Sequence, residues 1–167
     1  MNDDRDLIGL GGWLILVGIG VVLIPLRLLI TVLPPFISLF SDGTWEAVTT
    51  EGSTYYHSFW APLLITEMIV NIGLFIVSLY LVFLFFSKHR LFPITYVLIA
   101  VVTLIFIPLD AWLTTYVLPD EPIFDPDTIR NLTQAFVSSI IWIPYMMTSK
   151  RVKNTFGKVI EIKEADV

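Results

Sequence analysis

Arg27, Glu67 and Asp110 each interrupt a long apolar run, and Asn71, Gln134 and Ser138 add uncharged polar groups to such runs. Ionisable side chains set among apolar ones pair with one another, bind a polar ligand or ion, or relay protons. Glu67 and Asn71 are four residues apart, which puts them on one face of a helix. Along helices with the usual rise, Arg27 lies about 21 Å beyond Trp13, Asp110 about 25 Å beyond Pro93, and Glu67 about 12 Å inward from Phe59. In a hydrocarbon layer about 30 Å thick, all three fall in the outer half. The expected packing has Arg27 between Glu67 and Asp110, since five guanidinium donors can serve two carboxylates or an added amide. The trio would carry net charge −1, and one proton would remove it, because neighbouring carboxylates resist joint ionisation. Thr66, Gln134 and Ser138 extend this polar layer.

Nothing in this set has the spacing of a catalytic constellation, so no catalytic residue is assigned and no metal ligand or cofactor is expected. His57 and His89 fall on opposite sides of a layer about 30 Å thick and cannot share one metal or haem. The chain has no cysteine, which excludes disulfides, thiolate chemistry and Cys-based zinc sites.

The elements that position these residues are membrane spans. Of 167 residues, 56% are apolar and 15% charged, and the mean hydropathy is +0.80; an ordinary soluble domain carries about 25% charge. Stretches such as 17–26 and 76–86 lack the polar stripe a soluble helix needs. The net charge of −5 is segregated, and no basic field exists to attract nucleic acid. The N-terminus carries Asp3, Asp4 and Asp6 against Arg5 and no evident cleavage site, so its apolar run reads as a retained first span.

The expectation is an all-α, polytopic four-helix transmembrane bundle forming one membrane domain over residues 1–167. Its spans are expected near 10–34, 59–86, 92–118 and 132–148, the last being short and polar. Outer loops cover 38–58 and 119–131, and a basic tail covers 149–167. Lys88, Arg90, Lys150, Arg151, Lys153, Lys158 and Lys163, with Arg5, place eight of ten basic residues on one side. Basic residues are retained in the cytoplasm, so both termini are expected there. The tail is expected to anchor topology and to contact anionic lipid. Trp13, Trp60, Trp142, Tyr56, Tyr96 and Tyr145 mark span ends. Asp127–Thr128, or Asn131, is expected to start the fourth helix.

Pro25, Pro108 and Pro144 each remove a backbone donor inside a span and predict kinks. The sequence around the first two repeats: Ile24-Pro25-Leu26-Arg27 against Ile107-Pro108-Leu109-Asp110. Ile65-Thr66-Glu67 with Asn71 likewise echoes Leu132-Thr133-Gln134 with Ser138. Spans one and two would then correspond to spans three and four as parallel halves.

Leu10-Gly11-Gly12-Trp13-Leu14, Trp60-Ala61-Pro62 with Glu67 and Asn71, and Ser149-Lys150-Arg151-Val152-Lys153-Asn154-Thr155-Phe156 occur in this order. On these residues the chain, over roughly 7–156, resembles the YdgK-like bacterial membrane proteins, a family grouped as a domain of unknown function. The resemblance implies a four-span protein of the bacterial inner membrane and carries no activity or site residues with it. The functional expectation is a non-enzymatic accessory subunit that stabilises a membrane-protein partner or a second copy of itself. The alternatives are a small transporter or channel component with an intramembrane polar site and, third, a membrane enzyme.

Overall fold

The computed structural model describes residues 8–157, which form six helices and, among the described residues, no strand. They are α1 (Trp13–Ser41), α2 (Thr44–Thr49), α3 (Trp60–Phe86), α4 (Phe92–Thr114), α5 (Pro126–Thr148) and α6 (Lys150–Phe156). Three of them, α1, α3 and α4, are long and apolar enough to cross a membrane. Their outward faces fit that solvent: Ile30, Ile69 and Ile94 are 74%, 65% and 67% exposed. Such apolar area, continuous along helices, belongs against lipid.

Local chemistry explains where the helices begin. Gly12, at φ +57°, leads into α1. His57 and His89 precede α3 and α4, and each Nδ1 accepts the backbone N–H two residues on, at 3.2 Å. Pro93 then occupies the first turn of α4, where its missing donor costs nothing. The start of α5 lies earlier than the Asp127–Thr128 or Asn131 expectation. Asp125 caps it, its carboxylate accepting from Thr128 N at 2.7 Å, with Pro126 as the first helical residue.

Other boundaries also shift from expectation. α1 runs through Pro25, Pro34 and Pro35 to Ser41 rather than ending near 34, although each of these prolines forfeits a backbone donor. The segment 38–58 is not a plain loop, since it ends α1 and contains α2. α4 stops at Thr114, and the residues after it form turns. α5 is a single helix through Pro144.

α1 packs on α3, α3 on α4, and α4 on α5. At one end of this chain of contacts the core is apolar: Leu14, Val17 and Val21 of α1 meet Leu84 and Phe85 of α3, Phe92 of α4 and Met146 of α5. Gly18 permits the approach, as a Cβ there would lie 2.7 Å from the Phe85 ring. The basic tail does not trail away from this core. Ser149 ends α5 and caps α6, which turns Val152 and Phe156 inward. Phe156 stacks on Phe92 at 4.6 Å. Thr155 then holds the N-terminal segment, its Oγ1 accepting from Gly9 N at 3.0 Å and donating to Gly9 O at 3.3 Å. Gly11 leaves room for Arg151, whose Nη1 would lie 2.9 Å from a Cβ at that position. The glycine-rich opening and the basic tail motif are therefore two halves of one lock. Arg5, Lys158 and Lys163, used for orientation, lie outside the described residues.

Two outcomes follow. Phe156→Ala should cost about 3–5 kcal/mol and lower the melting temperature in nonionic micelles, while Phe136→Ala, on the exposed face of α5, should change it little. The Thr128 N–H holds the Asp125 carboxyl below the usual carboxylate range. Its contribution is therefore present above the unfolded value of about 3.9 and lost as pH falls through the lower folded value. Asp125→Ala should melt below wild type at pH 7, and thermal scans of the two proteins should converge under strong acid.

Candidate functional site: a polar cavity among four helices

Beside the apolar core, residues of the four long helices line a cavity of about 500 Å³. Its residues adjoin the core along each helix: 24–31 of α1 follow Val21, 96–110 of α4 follow Phe92, 128–139 of α5 precede Met146, and Leu81 of α3 belongs to both core and cavity. Arg27, Glu67, Asn71, Asp110, Gln134 and Ser138, all singled out from the sequence, line it together. Ile24, Leu74, Ile99 and Phe106 supply apolar wall. A size of this order suits a small ligand.

The two carboxylates occupy adjacent helices. Glu67 projects from α3 and Asp110 from α4, and their carboxyl groups are close enough to interact directly. Both are half-buried. Arg27 meets a different partner from the one expected: its Nη2 donates to Asn131 Oδ1 at 3.0 Å, spanning α1 and α5. Asn131 is thus a site residue that sequence reasoning used only as a possible helix cap. Its signal was the spacing Asn131, Gln134, Ser138, which is one helical face.

Nearby donors are largely committed to their own helices. Asn71 Nδ2 donates to Glu67 O at 2.9 Å, Thr31 Oγ1 to Arg27 O at 2.9 Å, and Thr114 Oγ1 to Asp110 O at 3.0 Å. Thr66, expected in the polar layer, donates to Pro62 O at 2.7 Å and is absent from the cavity lining. Pro25 and Pro108 lie one helical turn or less from Arg27 and Asp110, so both kink candidates border the site; Pro144 is well removed from the lining residues.

The cavity is open toward the seam between α1 and α5. Arg27, Asn131, Gln134 and Ser138 line it and are exposed. Trp13 and Trp142 close the same seam at the apolar end, edge to face at 6.4 Å.

The paired motifs meet at one cavity. Ile24 and Ile107, Arg27 and Asp110, Glu67 and Gln134, and Asn71 and Ser138 all face the cavity. Helix packing matches too, α1 on α3 in one half and α4 on α5 in the other. Arg27 of the first half reaches α5 of the second, and Asp110 of the second reaches α3 of the first.

A second hollow, lined by Thr44, Tyr56, His57, Trp60 and Leu118 among others, contains no carboxylate, and its His57 Nδ1 is spent on Phe59 N. No group of three or more His, Cys, Asp or Glu residues arranged to hold a metal occurs among the described residues.

The fold and cavity define an all-helical, membrane-embedded protein with a polar interior. Its family match runs over residues 7–157, and the chain belongs to that family, described as Protein of unknown function (DUF2569). No curated protein and no solved structure matches the chain.

Arg27→Leu should lower abundance in membranes and thermal stability more than Lys150→Ala, an exposed tail change. Asn131→Ala made on top of Arg27→Leu should add less than it costs alone, since both remove one interaction; a double-mutant cycle of melting temperatures measures this.

Proposed function

We propose that this chain is a non-enzymatic, cofactor-free binding protein of the bacterial inner membrane, a small transporter or channel component that admits a polar or charged small ligand to its cavity. The observation that carries this reading is the convergence of Arg27, Glu67, Asn71, Asp110, Gln134 and Ser138 on one space with apolar walls and an open side. A clasp made only to hold helices together would close around its polar groups rather than leave room for a ligand.

The reading includes α5 as the fourth span, completing a four-helix bundle. α5 has 23 residues, about 35 Å of helix, and its lower hydropathy comes from Asn131, Gln134 and Ser138 on the cavity face and from Asp127 and Arg130 in its first turns. With α5 spanning, Lys88, Arg90 and the α6 basic residues share one side, and both termini are cytoplasmic. Exposed Lys150 and Lys153 then face the headgroup region and attract anionic lipid. Within its family we place the chain with the YdgK-like members.

The second reading is the accessory subunit. Asn131, Gln134 and Ser138 are exposed on one face of α5, and polar side chains presented sideways can join a partner helix or a second copy.

The cysteine-free sequence makes the test direct. In vesicles, Gln134→Cys and Ser138→Cys should react with a water-soluble methanethiosulfonate reagent, whereas Ile72→Cys, on the outward face of α3, should not. Protection of all three would sink the open-cavity reading. Recovery of a stoichiometric foreign subunit in mild detergent, with labelling at 134 and 138 only after its removal, would establish the accessory role instead. For topology, Glu51→Cys and Lys153→Cys should label from opposite sides of the membrane.

A further inference from the structure

We infer that the α3/α4 wall of the cavity binds a compact lipophilic ammonium ion, its N–H groups donated to Glu67 and Asp110 and its apolar body against Ile24, Leu74, Ile99 and Phe106. This inference rests on the cavity being a ligand site and names the class of ligand.

Three observations carry it. The first is charge distribution. Glu67 of α3 and Asp110 of α4 line the cavity together, while the guanidinium is drawn to the opposite seam by its bond to Asn131. With all three groups ionised the set has net charge −1, which a monocation neutralises. An anion would add to the imbalance where the surroundings screen charge poorly.

The second is hydrogen-bond capacity. Thr31, in the cavity lining, spends its hydroxyl proton on Arg27 O of its own helix. The Asn71 amide nitrogen is spent on Glu67 O, leaving Oδ1 as the acceptor this side chain can offer. The Glu67 and Asp110 carboxylates and Asn71 Oδ1 are acceptors that α3 and α4 bring to the cavity, and an ammonium group brings donors and no acceptor.

The third is shape. The cavity, about 500 Å³, is far larger than an ion, and Ile24, Leu74, Ile99 and Phe106 give it apolar wall beside the polar groups. Calcium or magnesium would need six or more oxygen ligands around a point, whereas Phe106 offers an aromatic surface to an organic cation.

The test uses three ligands on one rigid cage: adamantan-1-ylammonium, neutral adamantan-1-ol and adamantane-1-carboxylate. Binding of each is measured by equilibrium dialysis against the full chain in nonionic micelles, with empty micelles subtracted. The expected result is one saturable ammonium site per chain, with the alcohol and carboxylate at least about tenfold weaker. Glu67→Gln and Asp110→Asn should each weaken ammonium binding by about tenfold or more, and Glu121→Gln, in an exposed loop, should not. Ala100→Phe, which fills the cavity without altering charge, should abolish binding while the chain still elutes as wild type on gel filtration. That variant keeps the test valid should a carboxylate substitution impair folding.

Saturable binding of the alcohol or carboxylate, blocked by Ala100→Phe and matching or exceeding the ammonium, would overturn the ligand class and leave the binding reading standing. Absence of saturable binding by all three, together with no thiol labelling at 134 and 138, would overturn both. Ammonium uptake unaffected by Ala100→Phe would mark partition into the micelle and overturn the inference.

Discussion

An ionisable side chain surrounded by hydrocarbon loses its hydration, and that loss is large enough to dictate how helices carrying such groups arrange themselves. Arg27, Glu67 and Asp110 sit on three different helices. Each needs polar company, and α1, α3 and α4 can supply it only by turning these faces toward a common interior. α5 completes the interior with Asn131, Gln134 and Ser138. What results is a division of the bundle along its length. One end is a packed apolar core, and the other is a polar cavity with the guanidinium at its rim.

The apolar end makes the open end tolerable. Glycine at position 18 lets α1 come down onto Phe85, and Phe85, Phe92 and Phe156 form a continuous aromatic cluster across α3, α4 and α6. Thr155 ties this cluster back to Gly9. Pro25 lies where α1 passes from the core to the cavity wall, and Pro108 lies near the far end of the α4 lining, two residues before Asp110.

Much of this was legible in the residues. Apolar runs interrupted by single charges placed three helices, and counting helical rise from their ends brought Arg27, Glu67 and Asp110 to one depth. The i,i+4 relation joined Asn71 to Glu67, and the paired motifs pointed to Gln134 and Ser138 at the same layer. Depth, however, does not fix azimuth. The sequence offered Arg27 two carboxylates, and the structure gives it Asn131, because which neighbour an arginine reaches depends on how α1 and α5 are rotated. The tail showed a similar limit. Its lysines and arginine read as an exposed basic anchor, yet Val152 and Phe156, spaced four apart, form the buried face of a short helix. Two apolar residues in seven give too weak a periodic signal to outweigh the surrounding charge. The start of α5 was missed because Asp125-Pro126, a cap followed by proline at the first helical position, lay in a segment whose prolines and acids suggested only a loop.

The account stands on α1 and α5 facing each other across a polar space within the membrane. Its most direct test is cross-linking in native membranes with a short bifunctional methanethiosulfonate, using the pair Arg27→Cys and Asn131→Cys. These positions should join efficiently, whereas Arg27→Cys with Ile72→Cys, whose side chain points outward from α3, should not. Equal cross-linking of both pairs, or none at 27 and 131 with both thiols reactive, would contradict the arrangement from which the cavity and its chemistry follow.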